Sequence, residues 1–170
     1  MRWDLSAVKA LLRLRQHGLD AQAGLSMLSP GPNVTVPLMK SFAERATMEE
    51  LVSALVAWKP DLCGPLANGI VEYRQQQNNL SVLEDALDRG YFVRNVSALR
   101  SREDDDSRLL RKVLRMEIDR INVRILLQLR NGHTGADQLA ARLLPSGWLD
   151  EKLLREMAGA RDAMHAMEYL

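Results

Sequence analysis

From Ser107 to Asn131 the chain runs without a glycine or a proline. Across that stretch Leu110, Val113, Leu114, Ile118, Ile121, Ile125 and Leu129 return at three- and four-residue spacing. This period gathers apolar side chains along one side of an α-helix, so a long helix over 107–131 is predicted, closed by Gly132.

The rest of the chain reads in the same period. Asp4 is placed to cap a first helix carrying Leu5, Val8, Leu11, Leu12 and Arg15, with Gly18 ending it. A short helix over 21–28 meets Ser29-Pro30-Gly31-Pro32, which cannot continue it. Another follows Pro37 to about Arg45, and Thr47 with Glu50 forms a capping box for one ending at Trp58. A helix over 60–77 is expected next, ended by the polar run Gln75 to Asn79; then Ser81 and Glu84, at capping-box spacing, introduce one reaching about Leu99. The acidic run Glu103 to Asp106 suits a helix start, where negative charge meets the positive end of the macrodipole. It lacks the alternating ligands and central glycine of a calcium loop. After Gly132, helices over 137–144 and 149–157 flank the Pro145-Ser146-Gly147 break, and Asp162 caps a last one. No alternating strand pattern of useful length occurs, and Leu, Ala, Arg, Glu and Met abound while aromatics are 5%; the fold class is all-α.

Charge removes several kinds of function. Lys plus Arg number 23 against 22 for Asp plus Glu, a net charge of +1, so any electrostatic recognition must be local. A single cysteine, Cys63, excludes an internal disulfide and reads as structural. Arg2, Asp4 and Lys9 interrupt any signal-like apolar run, and no uncharged stretch of about 20 residues could span a bilayer, so membrane contact is expected only through a partner.

Catalytic spacing is missing as well. HExxH, CxxC, GxGxxG and GxxxxGK[ST] are absent, His17, His133 and His165 lie far apart, and Glu117 and Asp119 point to different helix faces. No catalytic, cofactor-binding or metal residue is assigned. Met27, Met39, Met48, Met157, Met164 and Met167 read as pliable core or interface filler.

Two stretches resemble one another. WDLSAVKALLRLRQHG at the start and EIDRINVRILLQLRNG at 117–132 fall into register at an offset of 115 residues. Asp4 lands on Asp119, Val8 on Val123, Leu11 and Leu12 on Leu126 and Leu127, and Arg15 on Arg130. The loop prolines Pro30 and Pro145 and the later Leu38 and Leu153, Ala43 and Ala158, stay in step, as chance pairing of two leucine-rich helices would not require. The expectation is about one and a half copies of a helical domain, an incomplete first copy over 1–101 and the start of a second over 102–170.

LEDALDRGYF, a charged break, a long helix carrying Arg115, Glu117, Asp119, Asn122, Arg124, Leu126 and Leu127, and then LLPSGWLDEKLL follow in order. In this the chain resembles the C subunit of V/A-type rotary ATPases, similar to the d subunit of eukaryotic vacuolar ATPases, over nearly its whole length. The resemblance implies three similar helical bundles about a pseudo-threefold axis, forming a funnel that seats the central shaft on the cytoplasmic face of the membrane rotor ring. Implied with it are a non-catalytic central-stalk role in proton or sodium transport, shaft and ring as partners, and no direct nucleotide. The present chain holds about half as many repeats and has Ala7 where the Asp119–Asn122 pattern calls for Asn. It is therefore expected to be a piece of a longer protein, with exposed apolar surface at its ends and self-association as one way of covering it.

Two residue sets stand out as sites. Asp119 and Asn122, three positions apart, form a polar pair in an apolar helix, read as tying it to a neighbouring loop. Arg108, Arg111, Lys112 and Arg115 make a basic stripe that Arg120 and Arg124 continue, with Asp119 in pairing reach of Arg115. The stripe is the candidate docking surface for an acidic shaft or ring segment. The alternative function is a stand-alone helical binding module using the same basic face, with nucleic acid as its ligand.

Overall fold

The computed structural model describes residues 2–26, 29–129, 140, 142–160 and 165. Among them the elements are α1 (Arg2–Gln16), α2 (Ala21–Ser26), α3 (Val36–Ala43), α4 (Met48–Trp58), α5 (Pro60–Cys63), α6 (Leu66–Gln75), α7 (Leu80–Arg100), α8 (Asp105–Leu129) and α9 (Glu151–Gly159), with no strand. The fold is all-α. The helix expected to start near 137 is described only at residues 140 and 142, and the one expected after Asp162 only at residue 165.

Several helix ends differ from the expectation, each for a local reason. The helix over 60–77 is two helices, because Pro65 has no N–H to continue the ladder after Gly64 donates to the Pro60 carbonyl at 2.8 Å. The polar run turns the chain through left-handed backbone at Gln77 and Asn78. Asn79, not Ser81, then caps α7: its side-chain oxygen accepts the Ser81 N–H at 3.2 Å and the Ser81 hydroxyl at 2.8 Å. Glu84 is thereby released for another role. Thr47 does cap α4, accepting the Glu50 N–H at 3.2 Å, while Glu50 reaches back to the Ala46 N–H at 3.0 Å. Asp104 caps α8 through the Ser107 N–H at 2.8 Å.

The chain divides into two compact units, residues 1–91 and 92–170, with the division inside α7. In the first, α1 lays Leu5, Val8, Leu11, Leu12 and Leu14 into a core with Phe42, Leu51, Leu55, Leu66, Leu83 and Leu87. Burial of each such leucine stabilises the fold by about 1.5–3 kcal/mol. Phe42 meets Trp58 edge to face at 5.7 Å between centroids. On the polar side of α1, Lys9 pairs with Asp88 at 2.6 Å, and the Arg13 Nε donates to Glu84 at 2.6 Å, holding α1 to α7.

In the second unit, Phe92, Val96 and Leu99 of α7 are buried, as are Leu114, Ile118, Ile121, Ile125 and Leu126 of α8 and Leu154, Met157 and Ala158 of α9. Leu110 and Val113 are exposed instead of buried, which corrects the apolar side read for α8. At 100° per residue, the side holding Leu114, Ile118, Ile121 and Ile125 leaves Leu110 at its edge and Val113 beyond it. The α8 sequence carries two apolar faces, and only one is used inside the unit.

Candidate functional site

Asp119 and Asn122 sit on the part of α8 that meets the loop before α9. Asn122 is 0% exposed; its Nδ2 donates to the Leu144 carbonyl at 2.9 Å and its Oδ1 accepts the Leu144 N–H at 2.7 Å. Both polar groups of one loop residue are thus answered by one side chain, which offsets their desolvation. Asp119 accepts the Trp148 N–H at 2.9 Å and the Leu149 N–H at 3.2 Å. Asp119 serves the loop and does not pair with Arg115, whose Nε donates to the Ser146 carbonyl at 3.3 Å. Close approach is possible because residue 147 is glycine: a Cβ there would collide with the Asp119 carboxylate and stand 3.2 Å from Ile118 Cγ2.

Asp4, expected to cap α1, lies inside that helix and is fully buried. Its Oδ1 accepts the Asn33 N–H at 3.0 Å, its Oδ2 accepts Asn33 Nδ2 at 2.7 Å, and the Lys59 ammonium stands 3.6 Å away. Burial pushes the carboxyl up, but the two Asn33 donors and Lys59 outweigh it and hold the group below its ordinary range. A Cβ on Gly31 would stand 3.0 Å from the Asp4 backbone. This clamp was missed as a functional feature; the signal for it was the register that lays Asp4 on Asp119.

The basic stripe is not one continuous surface. Arg111 turns its guanidinium to the carbonyls of Leu99 and Arg102, each at 2.8 Å, capping the end of α7. Arg115 is committed to Ser146, Arg108 lies 3.3 Å from Asp105, and Arg120 donates to Glu117 at 2.6 Å, which raises the Arg120 pKa further. Lys112 and Arg124 are exposed. Six basic residues in sequence therefore leave two cations without such commitments, too sparse a set to track a phosphate backbone.

Elsewhere in the first unit a groove of about 500 Å³ runs between α4 and α6, lined by Val52, Val56, Ala67 and Ile70 and edged by the Arg74–Glu49 pair at 2.8 Å. Cys63 is buried and its thiol is pushed up to about 12, chiefly by desolvation. Among the described residues no three His, Cys, Asp or Glu side chains gather as metal ligands, and no helix is long and apolar enough to cross a membrane.

Comparison with known proteins gives this architecture a family. The chain is similar to the A-type ATP synthase C subunit of Methanothermobacter thermautotrophicus, 25% identical over 162 residues, covering 95% of this chain and 41% of that protein. It is 26% identical over 148 residues to the corresponding C subunit of Methanococcoides burtonii, covering 86% of this chain and 39% of that one. For the C subunit of Thermococcus kodakarensis the identity is 25% over 148 residues, covering 87% and 38% respectively. The chain thus spans about two-fifths of the length of the curated relatives it matches. No solved structure matches it. The sequence profile described as ATP synthase (C/AC39) subunit matches residues 1–170, end to end, and the chain belongs to that family.

Proposed function

We propose that the chain works as a non-catalytic part of the central stalk of a V/A-type rotary ATPase or ATP synthase, coupling the central shaft to the membrane rotor ring during proton or sodium transport. The observation that carries this reading is the family match along all 170 residues. Its place is the cytoplasmic face of the membrane, held there through the complex. Nucleotide chemistry belongs to other subunits, and Lys112 and Arg124 are the cations on α8 best placed for acidic segments of the shaft or ring.

The chain is read as carrying about one and a half copies of a helical repeat, over 1–101 and 102–170. Matching roles at the offset of 115 residues support this. Thr35 and Asp150 take extended backbone as the caps of α3 and α9. Met39 and Leu154, Phe42 and Met157, Ala43 and Ala158, and Leu11 and Leu126 are buried in pairs. Repeated clamps suit a part that must carry load without deforming, since packed cores transmit strain.

Adding the chain back to a rotary complex depleted of its own C subunit tests the role. Retention of the chain on the depleted complex, with head-group hydrolysis unchanged by its addition, is expected. A chain that is not retained on the depleted complex, or ATP turnover by the purified chain alone, would overturn the assignment.

A further inference from the structure

Of the ten exposed large hydrophobic side chains among the described residues, four stand together on the N-terminal half of α8: Leu109 at 63% exposure, Leu110 at 50%, Val113 at 52% and Met116 at 58%. Exposed contiguous apolar surface of this kind marks an interaction face. It continues in charge at both ends. Asp106 precedes it and Arg120 follows it, each exposed and each seven residues from Val113, so each charge sits about 10 Å along the axis from the stripe's centre. Arg124 continues the basic end, which stays net positive although Arg120 is paired with Glu117 at 2.6 Å on the same helix, and Asp105, itself 3.3 Å from Arg108, continues the acidic one.

An acidic end, an apolar middle and a basic end make this face complementary to itself in one orientation. Two copies laid antiparallel with Val113 on the two-fold axis bring Asp106 opposite Arg120 of the second copy, twice by symmetry, and Leu110 opposite its Met116. Parallel pairing would put Asp106 on Asp106 and Arg120 on Arg120, which like charge disfavours. At the usual helix separation of about 8–10 Å the four apolar side chains interdigitate. We infer that the free chain forms a weak antiparallel homodimer through Leu109, Leu110, Val113 and Met116 of α8, registered by Asp106 and Arg120. The inference goes beyond the stalk assignment, because it concerns the chain by itself; a partner needing Arg120 would compete with the dimer.

Sedimentation velocity of the full chain over a rising micromolar concentration series reads it directly. Monomer should give way to dimer. Val113→Arg, which buries a charge at the axis, should leave monomer at every concentration. Asp106→Arg should weaken the dimer about tenfold, and adding Arg120→Asp should recover most of that loss by restoring opposite charges. All three positions are exposed, so circular dichroism should show unchanged helix content. A chain that stays monomeric throughout, whatever else it binds, overturns the inference. So does association that survives Val113→Arg, or a double variant that associates no better than Asp106→Arg.

Discussion

Asp119 accepts the backbone N–H of Trp148 at 2.9 Å, pinning a loop 29 residues further on to the flank of α8. Asp4 holds the backbone N–H of Asn33 at 3.0 Å across the same 29-residue interval. In each case an acid on a helix supplies the acceptor that a loop N–H needs, and the loop in turn sets the start of the next helix.

Removing either acid should loosen its loop by an amount that tracks burial. Asp119→Ala leaves two loop N–H groups seeking water and should cost about 1–3 kcal/mol. Asp4→Ala strands the Asn33 donors and the partly buried Lys59 cation at a fully buried site, and should cost about 3 kcal/mol or more. Urea unfolding of the two variants checks the order; Asp119→Ala as the more damaging change would contradict it.

The pH dependence of the Asp4 clamp has a definite sign. Its carboxyl is held below the ordinary value of 3.8, so the folded state binds the proton less readily than the unfolded chain. The stabilisation is therefore complete at neutral pH and is lost as pH falls through about 4 and below. The difference in Tm between the native chain and Asp4→Asn should be large at neutral pH and shrink on acidification. A constant difference would mean the charge is not what Asn33 and Lys59 recognise.

Asn122→Ala should cost about 2–4 kcal/mol, because the N–H and carbonyl of Leu144 both lose their partner inside a dry site. Asn122→Leu restores volume without restoring either hydrogen bond and should remain well below the native chain in thermal stability. If the leucine variant matched the native chain, packing rather than pairing would be the role of this residue.

Gly147→Ala should destabilise by about 1–3 kcal/mol, since the added methyl enters the space of the Asp119 carboxylate. The effect should shrink in an Asp119→Ala background, where only the 3.2 Å approach to Ile118 Cγ2 remains. A double-mutant cycle measures the coupling, and simple additivity would refute the shared-space argument.

Burial should keep the Cys63 thiol unreactive. With its pKa pushed up to about 12, almost none is thiolate near neutral pH. Labelling by a thiol-specific disulfide reagent should be negligible in the folded chain and complete after denaturation. Rapid labelling of native protein would show that the site opens readily.

Much of the helix layout is legible in the sequence. Pro60, the Thr47–Glu50 box and the unbroken period from 107 onward mark ends and lengths that depend on neighbours a few residues away, and the described elements lie close to them. Asp4 does not cap α1, because its partner, Asn33, lies 29 positions away, beyond the range over which capping signals act. The basic stripe failed as a continuous surface for the same reason: Arg111 and Arg115 look solvated on a helical wheel, yet backbone carbonyls from other elements take their guanidinium groups.

Helical character, the places where most helices begin and stop, and the matching register of two acids follow from period, capping and proline placement, which are short-range properties of the backbone. Which of two apolar faces of α8 turns inward, leaving Val113 in water, is settled by packing against the rest of its unit. Packing also settles which charges are consumed as caps and clamps. Those outcomes depend on packing and on hydrogen-bond partners far along the chain, which no local period contains.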